Sequence, residues 1–84
     1  GEAGDAAAEQ EGLALAQNNF GLTYAKGLGV PRDYVQAHIW FNLAAGQGNA
    51  DAVKNRDLAA SKMTPADISK AERLAKEWLE KHPQ

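Results

Sequence analysis

The sequence predicts an all-α fold of about four helices, arranged as helical hairpins that stack into an α-α superhelix. Alanine is frequent, β-branched residues are few, and no run of alternating polar and apolar residues is long enough for a strand. Apolar residues instead recur every three or four positions, which is the spacing of one helix face. The chain also resembles itself at a nearly constant shift, which is typical of repeated helical hairpins.

The first helix is predicted at roughly residues 13–26, where Ala16, Phe20 and Tyr24 lie four apart on one face. Gly27 follows the last apolar position and is predicted to end the helix, because glycine adopts the left-handed cap conformation at little cost. The segment from Gly27 to Val30 is predicted to be a structural turn. It follows a helix and lacks the further glycine and the lysine of a phosphate-binding loop.

The second helix is predicted at roughly residues 33–47, with Asp33 as the N-cap and Gln36 in the capping-box position. Its side chains form two apolar faces and only a thin polar stripe. A helix that is apolar on most sides must be covered on most sides, so this helix is predicted to lie in the middle of the stack. The first face comprises Ala37, Trp40, Phe41 and Ala44, the second Val35, Ile39 and Leu43, and the polar stripe His38 and Asn42.

The third helix is predicted at roughly residues 49–63 with Asn49 as its N-cap, and the fourth at roughly residues 65–81. Thr64 is the predicted N-cap of the fourth helix, and Pro65 suits its first position because proline lacks the N–H that this position leaves unbonded. The fourth helix has one apolar face and one charged face. That pattern predicts a terminal helix that closes the stack.

An internal repeat organises the chain. Residues 12–26 correspond to residues 48–62 at a shift of 36, and residues 31–37 correspond to residues 65–71 at a shift of 34, so the loop of the second copy is shorter. Asn19 and Lys26 recur as Asn55 and Lys62. The packing residues of the first copy do not recur, since Phe20, Gly21 and Tyr24 become Arg56, Asp57 and Ala60. A degenerate last copy is typical of the end cap of a repeat array.

One spaced pattern carries a family resemblance. It comprises Ala16, Gln17, Asn19, Phe20, Gly21, Tyr24, Gly27, Gly29, Val30, Asp33, Ala37, Trp40, Ala44, Ala45, Gly48 and Ala52. In these residues the chain resembles a Sel1-like repeat, a relative of the tetratricopeptide repeat with a longer loop between its helices. Residues 56–78 resemble the segment that follows the last repeat in bacterial members. The resemblance implies the C-terminal end of a longer array. Residues 1–12 would be a flexible N-terminus or the remnant of a preceding repeat, residues 13–48 a full repeat, and residues 49–84 a degenerate capping repeat.

The resemblance also implies a protein–protein interaction scaffold that binds a peptide or protein on its concave helical face. In such arrays the first helix of each pair lines the concave side. The residues implied to face that groove are Asn18, Asn19, Leu22, Lys26, Lys54, Asn55, Leu58 and Lys62. Amides there would bond the backbone of an extended peptide, and the lysines would attract carboxylates.

Two alternatives stay open at this point. Asn19 could cap a backbone group within its own repeat while the lysines are simply solvated. The segment could also be a purely structural C-terminal cap of a longer array, with binding by other repeats.

Other function classes find no support in the sequence. The formal net charge is −2 with interspersed signs and no basic stripe, which argues against nucleic-acid binding. No apolar run is long enough to span a membrane. The only imidazoles are His38, expected at a polar helix edge, and His82, and neither stands at a metal-binding or catalytic spacing. We therefore expect no enzyme, cofactor or metal, and leave open whether the compartment is the bacterial cytoplasm or an exported one.

Overall fold

The computed structural model describes the backbone of residues 2–83 and the side chains of residues 8–83. Helix α1 spans Glu2–Lys26, α2 Tyr34–Gly46, α3 Ala50–Ala60 and α4 Pro65–Lys81, and no strand occurs in this described part. Helix α2 lies in the middle and packs against each of the other three, while α1 and α3 meet along a shorter line of contact, the α1–α3 seam. The predicted all-α fold is thus confirmed.

The helix N-caps lie where the sequence predicts them. Asp33, Asn49 and Thr64 each accept a hydrogen bond from the backbone N–H three residues on, at 3.1, 2.9 and 3.1 Å. One half of the predicted capping box is absent, because the backbone N–H of Asp33 donates to the carbonyl of Tyr24 at 3.0 Å instead. That bond ties the start of α2 to the last turn of α1 and closes the hairpin.

The turn after α1 is structural, as predicted. Gly27 and Gly29 have φ values of 67° and 78°, a region that residues with a Cβ rarely occupy. The N–H of Leu28 reaches back to the carbonyl of Thr23 at 2.9 Å, which is the long bond of a Schellman motif. These bonds reverse the chain and bring α2 alongside α1.

Helix α1 begins at Glu2, so its predicted start at Leu13 is wrong. Residues 2–12 are mostly alanine, glutamate and glutamine, which have high helix propensity. Gly12, the counterpart of the turn residue Gly48, costs a helix only about 1 kcal/mol relative to alanine. No neighbouring atom lies within 4 Å of where its Cβ would be, so no contact forces a turn there. The division between residues 1–12 and 13–48 stays a prediction.

Two apolar clusters lie on opposite sides of α2, which confirms that this helix is covered on most sides. Toward α4, Ile39 and Leu43 pack on Ala71 and Ala75. Toward α1 and α3, the buried residues are Ala37, Phe41 and Ala59, with Leu22, Tyr24, Ala25, Tyr34 and Met63 packed around them. The central helix therefore joins the two hairpins through its own two faces.

The α1–α2 contact depends on a glycine and an aromatic ring. A Cβ at Gly21 would collide with the ring of Phe41, which is only 1% exposed. Helix α1 can therefore approach α2 closely only because residue 21 has no side chain. Trp40 is half-buried in an aromatic row that joins α1, α2 and α4. Its ring centroid lies 5.2 Å from that of Phe20 on α1 and 5.9 Å from that of Trp78 on α4.

Candidate peptide-binding groove

A groove lies between the C-terminal ends of α1 and α3, and we call it the lysine groove. Its volume is about 150 Å³. It is lined by Leu22, Ala25, Lys26, Tyr34, Phe41, Asn55, Leu58, Ala59 and Lys62. These residues come from α1, α2, α3 and the turn after α3, so the groove exists only because the hairpin places α2 beneath the α1–α3 seam.

The floor of the lysine groove is apolar and firmly held. Phe41 and Ala59 are 1% and 3% exposed and belong to the core cluster under α1 and α3. Leu22 is half-buried, while Leu58 stands at the rim with 61% of its surface exposed. An exposed leucine beside a preformed apolar recess is the arrangement expected where a ligand supplies a further apolar side chain.

The rim of the lysine groove is positively charged. Lys26 is the last residue of α1, and Lys62 lies two residues after the end of α3. Both are exposed, and no acidic residue lines the groove in the described part of the chain. Each lysine also suits the partial negative charge of its helix C-terminus, a structural role that does not remove its charge from the groove.

A side-chain bond joins α1 to α3 beside the groove. The Asn55 Nδ2 donates to Asn18 Oδ1 at 3.0 Å, and Asn18 is 6% exposed. The bond uses one polar atom of each amide, so Asn55 Oδ1 and Asn18 Nδ2 are left to serve another partner. The two asparagines both hold the seam together and present polar atoms along it.

Five of the eight residues that the resemblance implied line the lysine groove, namely Leu22, Lys26, Asn55, Leu58 and Lys62. Asn18 lies buried beside it. Asn19 and Lys54 are exposed and do not line it. The side chain of Asn19 makes no local cap in the described structure. Its backbone carbonyl instead accepts a bond from Thr23 Oγ1 at 3.0 Å.

Sequence reasoning missed the floor and one wall of the groove. Tyr34, Ala25 and Ala59 line it without having been predicted, and Phe41 was placed only on an apolar face of the second helix. Tyr34 follows directly on the N-cap Asp33, so the end of the α1–α2 loop was the signal that could have located it. The others carry no polar group that would single them out.

A second cleft of about 420 Å³ is polar and lies between α2, α3 and α4. It is lined by His38, Asn42, Arg56, Asp57, Ala60, Ile68 and Glu72. Within it, Arg56 Nη1 donates to Asn42 Oδ1 at 3.1 Å, and its Nε lies 3.5 Å from Asp57 Oδ1. We call it the polar cleft.

The expectation that His38 sits at a polar helix edge is wrong, because it is 4% exposed. Helices α3 and α4 both cover that side of α2. Burial lowers the pKa of His38 from its ordinary value. The charge of Glu72 opposes this shift, that of Arg56 adds to it, and that of Asp57 opposes it. Its Nδ1 has no hydrogen-bond partner among the described residues. Burial therefore favours the neutral form of this imidazole.

Among the described residues, no three His, Asp or Glu side chains come close enough together to hold a metal ion. No helix within residues 2–83 combines the length and the apolar character needed to cross a membrane.

The stacked helical hairpins and the groove on their first helices define a helical-repeat protein. The Sel1 repeat family model matches residues 14–49 and 57–81, and the chain belongs to this family. Sel1 repeats generally mediate protein–protein interaction and are typically non-catalytic. The first matched stretch covers the second half of α1 and all of α2, and the second includes the whole of α4. Neither the comparison with curated proteins nor that with solved structures finds a match.

Proposed function

We propose that the chain is a scaffold or adaptor module that binds an extended peptide segment of a partner protein in the lysine groove. One observation carries the proposal. A recess with an apolar floor opens at the rim between two exposed lysines, and no acidic residue lines it among those described. That combination suits an apolar side chain with carboxylates beside it.

The binding mode follows from the lining. An apolar side chain of the partner rests on Phe41 and against Leu58, and carboxylates near it meet Lys26 and Lys62. The amide of Asn55, which lines the groove, bonds the partner's backbone. Burying one leucine-sized side chain contributes about 1.5–3 kcal/mol, and an exposed ion pair about 0–1 kcal/mol. A single module therefore binds weakly, and several repeats in one array would add affinity through avidity.

The proposal is tested by selecting peptides from a random surface-displayed library on the wild-type protein and measuring their affinity by fluorescence anisotropy. We expect enriched peptides to combine acidic and apolar residues. Leu58→Glu and Lys62→Glu should each weaken binding about tenfold, which corresponds to about 1.4 kcal/mol of binding free energy. Both side chains are exposed, so folding should be unaffected.

Lys54→Glu is the matched control. It makes the same charge change on the exposed surface of α3 but lies outside the groove. Its affinity should equal that of the wild type. Equal loss in Lys54→Glu and Lys62→Glu, or no loss in either groove variant, would show that the peptides bind elsewhere.

A second proposal is that residues 49–84 serve only as the structural cap of a longer array. Its support is the shape of α4, which buries Ala71 and Ala75 and exposes a charged face that includes the Arg73–Glu77 pair at 3.9 Å. A helix with one covered side suits the end of a stack. This proposal predicts that no selected peptide depends on the lysine groove, and groove-dependent binding would contradict it.

A further inference from the structure

The lysine groove lies at one end of the α1–α3 seam, and a further cleft, lined by acidic residues, lies at the opposite end. It has a volume of about 230 Å³ and lies where α3 begins. Its lining comprises Glu11, Ala14, Gln47, Gly48, Asn49, Ala50 and Asp51. Glu11 and Asp51 are exposed, and no basic residue lines this cleft in the described part of the chain. We call it the acidic end.

The two ends of the seam therefore carry opposite charge, and both are built from α1 and α3. Glu11 precedes Lys26 on α1 by 15 residues, so their Cα atoms lie about 22 Å apart along the helix axis at a rise of about 1.5 Å per residue. An extended chain advances about 3.3 Å per residue. Six or seven extended residues span this length.

The surface between the two ends can hold such a segment. The Asn18–Asn55 bond crosses the seam part of the way along it. Leu15, which is 56% exposed, lies seven residues before Leu22, so both occur on the side of α1 that carries Lys26. The seam thus offers apolar side chains and amides between a carboxylate pair and a lysine pair.

We propose that the seam binds a bipolar segment whose carboxylate lies at the lysine groove and whose basic residue lies at the acidic end. The segment is extended and six or seven residues long, with an apolar residue and a carboxylate at one end and a basic residue at the other. This rests on the proposed function and adds the charge pattern and length of the partner. Charge complementarity at both ends selects the segment, because a segment with carboxylates at both ends would place one of them against Glu11 and Asp51.

The test uses three synthetic peptides of equal length and matched anisotropy labels. The first carries Leu and Glu at one end and Lys at the other. It is made in both chain directions, because the charges of the seam fix where its acidic and basic ends lie but not the N-to-C direction of its backbone. The second has the same composition with Lys beside Glu. The third has Glu at both ends. We expect one direction of the first peptide to bind at least fivefold more tightly than the other two peptides.

Glu11→Lys is the decisive variant, because Glu11 is exposed and its replacement leaves the core untouched. It should weaken the bipolar peptide about fivefold and strengthen the peptide with Glu at both ends. Asp51→Asn, checked for folding by circular dichroism, should act in the same direction. Glu80→Lys makes the same charge change on the exposed surface of α4, outside both clefts, and should change neither affinity.

Two results separate failure of this inference from failure of the proposed function. If Lys62→Glu weakens all three peptides while Glu11→Lys changes none, the segment is not bipolar and the lysine groove stands. If no peptide responds to Lys62→Glu, the lysine groove itself is not the binding site and both proposals are overturned.

Discussion

The α1–α2 and α3–α4 hairpins are copies in sequence, but different contacts hold them. In the first hairpin the ring of Phe41 lies where Gly21 has no side chain. The shifts of 36 and 34 place Asp57 and Ala75 at the equivalent positions of the second hairpin. The glycine that receives a ring corresponds to an aspartate and the phenylalanine to an alanine, so the second hairpin lacks this interlocking pair.

The second copy, which lacks the glycine–phenylalanine pair, packs differently. Ala75 is buried against α2, in the cluster with Ile39 and Leu43, and Asp57 lines the polar cleft. Asn49 and Thr64 nevertheless cap α3 and α4, although the equivalent residues of the first copy are Leu13 and Val30, which are not caps. The signals that begin a helix are local, so a degenerate repeat can carry caps of its own after the tertiary contacts between its helices have changed. Three predictions test this comparison, beginning with the largest effect.

Phe41→Ala should destabilise the protein by about 3–5 kcal/mol, which is the usual cost of removing a buried phenylalanine. The loss should exceed that of Trp40→Ala, because Trp40 is only half-buried. Urea denaturation followed by far-ultraviolet circular dichroism measures both. Equal losses would mean that the aromatic row contributes as much to the first hairpin as the ring at Gly21 does.

Gly21→Ala should destabilise the protein by about 1–3 kcal/mol, since the added methyl group overpacks the contact with Phe41.

Two control variants sharpen the comparison between the hairpins. Asp57→Ala, at the equivalent position, should stay within about 0.5 kcal/mol because Asp57 is exposed. Gly12→Ala should stabilise by about 0.5–1 kcal/mol, because its Cβ meets no neighbour and the position is helical. If Gly21→Ala instead stabilises the protein in the same urea denaturation measurement, the close approach of α1 to α2 is ruled out.

The smallest effect concerns His38, which α3 and α4 cover in the polar cleft. Burial lowers its pKa in the folded state below the value of 6.5 expected for the unfolded chain, with Glu72, Arg56 and Asp57 as the charged groups that face it. The unfolded state then binds the proton more readily, so the stability that His38 contributes is present above pH 6.5 and falls as the pH drops below it. His38→Gln should flatten the dependence of the melting temperature on pH between 7.5 and 5.5. An unchanged slope would show that other groups cause it.

Features that depend on neighbours along the chain were predicted correctly, whereas features that depend on tertiary contacts were missed or predicted only in part. The caps at Asp33, Asn49 and Thr64 and the stop at Gly27 depend on residues within a few positions along the chain, and all four lie where they were predicted. The start of α1 was wrong because Gly12 ends a helix only if a neighbour requires a turn there. The lysine groove was predicted in part, because the repeat marks Lys26 and Lys62 but nothing local marks Ala25 or Tyr34.

The sequence by itself determined the helices after α1, the repeat and membership of the Sel1 family, since hydrophobic spacing and capping are local and recur at a fixed shift. The tertiary structure alone decided that the Phe41 ring replaces a side chain at Gly21 and that His38 is buried. It also decided that Asn18 pairs with Asn55 across the seam. These outcomes depend on how closely helices approach and which face of each is covered, quantities set by the packing of residues far apart in the chain.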